Sequence, residues 1–240
     1  MRTTFSGLRA EGMPSVVTPI ALHYVFSVNC YVVETNSTHV LIDTGPSARR
    51  ADLERRLAEA GCGPHSLRLI VLTHAHADHA GNCAYLREKY GCPIAMHAGD
   101  AGQAQRGDMF WNPKRKRTSA SAVVRTVLSA SRLGRFDAFE PDVLLSDGQD
   151  LGEYGLDAHV IHFPGHSPGS VGVLTAAGDL FCGDLLTNTG RPARNSIVDD
   201  AADMDASVCR LSGLGIRTVY PGHGGEFPIE QLMRSPGMAG

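Results

Sequence analysis

Apolar and polar positions in this chain fall first into short runs of strand character. Segments rich in β-branched and apolar residues at about 15–26, 29–34 and 39–42 are split by polar breaks and lead into the turn Asp43, Thr44, Gly45, Pro46. This predicts an antiparallel opening. Ser47 then stands where it can cap a helix carrying Leu53, Leu57 and Ala60 on one face, with Gly61 as its stop. The uninterrupted run Leu69, Ile70, Val71, Leu72 reads as a buried strand, followed by a helix over about 78–90 that ends at Gly91 and a strand over 93–96. From 98 to 140 the pattern turns polar and helix-prone. It predicts an insertion with a helix over 119–133, after a loop that holds Phe110, Trp111 and the basic residues Lys114, Arg115, Lys116 and Arg117. Strands return at 143–145, 157–162, 171–174 and 179–182, the last two joined by a tight turn at 176–178. A helix near 203–213 and a strand at 216–220 close the pattern. The alternation of strands and helices indicates an α/β fold, in one domain over 1–240 with a helical insertion at about 98–140.

Composition narrows the class without choosing a function. A chain of 240 residues with 42% hydrophobic content can bury a substantial core, and a formal net charge of -3 provides no basic field that would call for nucleic acid or an anionic membrane. The first twenty residues lack the arrangement of a secretory signal, and no apolar run reaches membrane-spanning length. A cytoplasmic protein acting on a small molecule is expected, and a homodimer is left open. Cys30, Cys62, Cys83, Cys92, Cys182 and Cys209 are scattered without a CxxC pair, which favours reduced thiols that are not ligands. The sequon at Asn36 carries no weight without secretion.

The chemistry concentrates after the buried strand. Thr73-His74-Ala75-His76-Ala77-Asp78-His79 places three imidazoles and a carboxylate within six residues, a pattern expected by chance on the order of once in a thousand chains of this composition. One residue between His74 and His76 lets both rings point the same way from an extended segment, while Asp78 and His79 at a helix start face a second position. One short segment can thus serve two metals. Zinc-class ions take imidazole and carboxylate ligands, and a catalytic site needs more of them plus open positions. Three later glycine-containing loops, each read as following a strand, offer His166, Asp184 and His223. The remaining histidines, His23, His39, His65, His97, His159 and His162, lack ligand spacing and are taken as structural, with His97 nearest to the pocket by its place after a strand.

In these motifs the chain resembles the metallo-β-lactamase-fold hydrolases of the glyoxalase II-like, dinuclear type, over about residues 15–228. Asp43 matches the family's aspartate at the end of an early strand. The His74 to His79 cluster matches its central signature, and His166, Asp184 and His223 match the motifs that follow, in order. The resemblance implies an α/β (α+β) fold built as a four-layer αββα sandwich, with the site at one edge of two packed sheets. It implies two divalent cations, zinc first, with iron or manganese admitted by the same donors. His74, His76 and His166 would hold one ion and Asp78, His79 and His223 the other, with Asp184 bridging. Asp43 is implied as a carboxylate that orients a ligand, its alternative being a turn-former. The catalytic carboxylates are then Asp43, Asp78 and Asp184.

Paired cations acidify a shared water and polarise the oxygen under attack, so no serine or cysteine nucleophile is required. The expected reaction is hydrolysis of an ester-type bond (thioester, lactone, ester or phosphoester). Departures from subfamilies limit the choice. Only 17 residues follow His223, so the helical domain that binds glutathione in glyoxalase II is not expected and glutathione thioesters are disfavoured. Asp184 argues against β-lactamase activity, and no basic appendage suggests a ribonuclease. Leu185, Leu186, Thr187 and Asn188 stand where lactonases often carry a tyrosine. Two other readings differ in class: a mononuclear iron persulfide dioxygenase, similar in length and in the loop Gly165 to Gly169, and a metal-binding module without catalysis. The segment from Phe110 to Arg117 reads as a solvated turn over packed aromatics, with an anion-binding lid as its alternative.

Overall fold

In β4 (Leu67–Val71) and the residue beyond it, Leu69 and Val71 face one way and Ile70 and Leu72 the other, and all four are fully buried. A strand buried on both faces lies in a sheet that is covered twice. The computed structural model, which describes residues 16–24, 27–35, 38–111 and 134–234, shows what covers it. The first sheet runs in chain order through β1 (Val16–His23), β2 (Ser27–Thr35), β3 (Thr38–Ile42), β4, β5 (Ile94–His97) and β6 (Val143–Leu145). It is antiparallel from β1 to β3 and parallel from β3 to β6.

The second sheet contains β7 (Ala158–His162), β8 (Val171–Thr175), β9 (Asp179–Asn188), β10 (Ala193–Arg194), β11 (Thr218–Gly224) and β12 (Phe227–Pro228). Its order is β12-β11-β9-β8-β7, with β10 paired to β9, and β11 runs parallel to β9. Around the sheets lie α1 (Arg50–Glu59), α2 (Ala77–Ala80), α3 (Cys83–Tyr90), α4 (Ala101–Arg106), α5 (Ala201–Arg210) and α6 (Ile229–Met233).

Side-chain alternation sorts the core into three layers. Val28, Cys30, Val32, Leu41, Ile70 and Leu72 pack with Leu53 and Leu57 of α1 and Leu86 of α3. Tyr31, Val33, Val40, Ile42, Leu69 and Val71 meet Val160, Val171, Val173 and Phe181 of the second sheet. Leu180, Cys182, Leu186 and Val219 pack with Met204 and Val208 of α5 and Leu232 of α6. Helix, sheet, sheet, helix is the four-layer αββα sandwich that the family resemblance implies. Truncating Phe181, fully buried between the sheets, to Ala would cost about 3–5 kcal/mol.

Several local expectations are corrected. Ser47 caps no helix through its side chain. It opens a 3-10 turn, Ser47–Arg49, in which the Arg49 N–H donates to the Pro46 carbonyl, and α1 grows from that turn. The single helix expected over 78–90 is two, because tertiary partners capture its backbone at the join. The Asn82 N–H donates to Thr44 Oγ1, and the His79 carbonyl accepts from the Thr44 N–H and hydroxyl. Asp184 lies inside β9 and His223 inside β11, so neither is on a loop. The second of these strands is irregular at the site, with register shifts on either side of Pro221. Lys114 to Arg117 and the helix expected over 119–133 lie outside the described residues. Among the described residues no helix is long and apolar enough to cross a membrane.

Candidate metal centre

Five segments bring the seven candidate ligands together. The chain leaves β4 in an extended loop holding His74 and His76, then enters α2, whose first turn carries Asp78 and His79. His166 comes from the loop after β7, Asp184 from β9 and His223 from β11. Their donor atoms form three overlapping groups: His74, His76 and His166; Asp78, His79 and His223; and His74, His79 and Asp184. Among the described residues no cysteine joins such a group, and all six cysteines are free thiols.

The hydrogen bonds behind the rings fix which nitrogen faces inward. His166 Nδ1 lies 2.7 Å from the Ile197 carbonyl and His223 Nδ1 lies 2.7 Å from the Ser27 carbonyl, so each donates there and leaves Nε2 with its lone pair. His79 Nδ1 lies 2.8 Å from Asp43 Oδ2. Thr73 donates its hydroxyl hydrogen to the same oxygen at 2.8 Å, and its oxygen stands 3.0 Å from His74 Nδ1. The hydroxyl has one hydrogen, already given to Asp43, so it accepts from His74 and turns that Nε2 inward as well. Asp43 Oδ1 takes the Thr73 N–H at 2.8 Å. One buried carboxylate therefore orients two imidazoles, although Asp43 also sits at positive φ in the turn after β3.

Inward spacings match a coordination shell. His166 Nε2 is 3.2 Å from His74 Nε2 and 3.0 Å from His76 Nδ1. Asp184 Oδ1 lies 3.4 Å from His79 Nε2 and 3.5 Å from His223 Nε2, while its Oδ2 faces His166 Nε2 at 3.4 Å. Asp78 Oδ2 is 3.5 Å from His223 Nε2 and 3.9 Å from His79 Nε2. Tetrahedral ligands at zinc distances have donor-to-donor edges of about 3.3 Å, so the spacing suits atoms gathered around ions. His79 Nε2 and Asp184 Oδ1 are buried without a hydrogen-bond partner, which polar atoms seldom are. The donor set fits divalent cations.

Electrostatics separate the imidazoles. Burial, followed by the neighbouring rings, holds His74 and His76 well below the usual histidine range, so their lone pairs are available. Burial also opposes a charge on His79, yet Asp43, Asp78 and Asp184 together push it well above that range. Burial would raise Asp184, but His79 and His223 hold it well below the carboxylate range. Close approach is built into the backbone: a Cβ on Gly222 would strike Asp184 Oδ1 and His79 Cε1.

One residue outside the motifs also takes part. Asn195 Nδ2 donates to Asp184 Oδ2 at 3.3 Å, and no sequence signal marks it. His97 and His162 stack at 4.0 Å, and His162 Nε2 donates to the Pro168 carbonyl. Trp111 packs under the Arg106 guanidinium, 4.1 Å from its ring.

Comparison with known proteins agrees with this geometry. Human acyl-coenzyme A thioesterase MBLAC2 is 29% identical over 230 residues, spanning 86% of this chain and 76% of that protein. Hydroxyacylglutathione hydrolase GloC of Haemophilus influenzae is 27% identical over 216 residues, spanning 88% of this chain and 92% of that protein. The crystal structure of TTHA1623 in a di-iron-bound form superposes with a TM-score of 0.70 at 29% identity, covering 91% of this chain and 98% of that one. The family model of the metallo-beta-lactamase superfamily matches residues 23–223, from the end of β1 to the last candidate ligand, and the chain belongs to that superfamily.

Proposed function

We propose that the protein is a thioester hydrolase working with two divalent cations, zinc first among them. The observation that carries this is the placement of Asp184, which turns one oxygen to His79 and His223 and the other to His166. A carboxylate so placed joins two ligand groups, with His74, His76 and His166 to hold one ion and Asp78, His79 and His223 the other. When bound, such ions supply Lewis acidity that polarises a carbonyl oxygen and acidifies water at neutral pH.

The chain's own residues do the rest. Asp43 orients His79 directly and His74 through Thr73. His76, Asp78 and His223 are the partly exposed members, so substrate approaches from their side. Ser167, the residue after His166, is fully buried and spends its hydroxyl hydrogen on Asp100 at 2.6 Å, so it offers no accessible nucleophile.

The thioester class is favoured within the ester-type bonds because the two relatives named above as hydrolases act on acyl-coenzyme A and hydroxyacylglutathione. The short stretch after His223 does not count against glutathione thioesters, since the chain spans 92% of the Haemophilus influenzae enzyme. Metal analysis of purified protein, joined to a panel of acyl-coenzyme A, hydroxyacylglutathione, lactone, phosphodiester and β-lactam, tests this. Two ions per chain and preferred thioester turnover are expected. One iron per chain with oxygen uptake on a persulfide would replace it with the dioxygenase.

A further inference from the structure

Asp100 belongs to none of the ligand groups, yet it ties together the two segments that carry the imidazole trio. It closes the 3-10 turn Ala98–Asp100 after β5 and is 1% exposed. Its Oδ2 accepts from the Ala75 N–H at 3.1 Å and the Ser167 hydroxyl at 2.6 Å, and its Oδ1 accepts from the Gly169 N–H at 2.7 Å. Ala75 is the residue between His74 and His76, and Ser167 follows His166. The fit is tight on both sides. A Cβ on Gly169 would meet the Asp100 carboxylate at 2.6 Å, and one on Gly99 would meet the Pro168 carbonyl at 2.6 Å. Ser167 is further held by Ser170, 2.8 Å between hydroxyl oxygens.

We propose that Asp100 is a positioning residue for the His74, His76 and His166 group: it sets the distance between the loop after β4 and the loop after β7. The proposal rests on the metal-centre reading above. The other group does not depend on it, because His79 is anchored by Asp43 and His223 by the Ser27 carbonyl. Loss of Asp100 therefore acts on one ion and spares the other. An amide cannot replace the carboxylate. Oδ2 receives two hydrogens and Oδ1 one, so the NH2 of an asparagine meets a donor in either orientation.

The test is zinc titration of the metal-stripped full chain, wild type against Asp100→Asn, by calorimetry, with cobalt(II) absorption as a second readout of ligand geometry. The variant is expected to lose about 10–100-fold in affinity at one site and to match wild type at the other. Repeating the substitution in His223→Ala, which spares the trio, and in His166→Ala, which removes one of its members, identifies the site. The loss is expected in the first background and not in the second. Equal weakening of both sites, as general destabilisation would produce, overturns the proposal, as does an unchanged titration. Should Asp100→Asn fail to fold, Ser167→Ala removes the 2.6 Å bond to Asp100 and the 2.8 Å contact with Ser170, leaves the Ala75 and Gly169 bonds to Asp100 in place, and is expected to weaken the same site severalfold; an unchanged titration there overturns the proposal equally. Wild-type protein that binds no zinc removes the metal-centre reading and this inference together. Two ions bound identically by wild type and variant remove the inference alone.

Discussion

The first half of the chain delivers His74, His76, Asp78 and His79 within six residues, whereas the second half delivers His166, Asp184 and His223 from a loop, a strand interior and a strand end. Support differs in the same way. His74 and His79 are held by Thr73 and Asp43, all from the first half. His223 is held across the sandwich by the Ser27 carbonyl, and its neighbour Pro221 offers its carbonyl to Asn29 Nδ2 at 3.0 Å and to the Tyr31 hydroxyl at 2.6 Å. One half of the centre is a local motif, and the other exists only when the sheets are stacked in register.

The largest effect is expected where the halves meet. Asp184→Ala should lower kcat/KM by at least about 10³-fold and leave a folded protein, checked by steady-state kinetics beside circular dichroism. Near wild-type turnover with metal still bound would break the bridging assignment. Asp43→Asn strikes the first half alone. Oδ1 receives the Thr73 N–H and Oδ2 both the Thr73 hydroxyl and His79 Nδ1, so the NH2 of an asparagine meets a donor in either orientation, and metal affinity should fall about 10–100-fold in a chelator competition. Asn195→Ala removes one long hydrogen bond to Asp184 Oδ2, leaving the Ile197 N–H without its acceptor, and activity should fall by less than about tenfold. Tyr31→Phe touches only the support of the second half. Asn29 still serves the Pro221 carbonyl, so a loss of about 1 kcal/mol in thermal unfolding is expected, with metal content unchanged.

What could be read in the sequence follows the same division. The cluster from His74 to His79 and the buried strand before it are local patterns, and the strands and most helices fall near their expected places. Glycines beside Asp184 and His223 suggested turns, but both residues sit in strands. Gly222 is required there because His79 and Asp184 come too close for a side chain, a contact no local pattern announces. The helix break at Asn82 is likewise tertiary: its side-chain amide donates to the carbonyls of Thr44 and Pro46. Asp100 and Asn195 act through partners distant in sequence, and their neighbours in the chain give no hint of it.

His166 leans on the backbone of residue 197, while the isoleucine side chain there is 69% exposed. A main-chain oxygen is present whatever amino acid occupies the position. Ile197 can therefore be exchanged for a larger, smaller or charged residue while the imidazole behind it keeps its anchor.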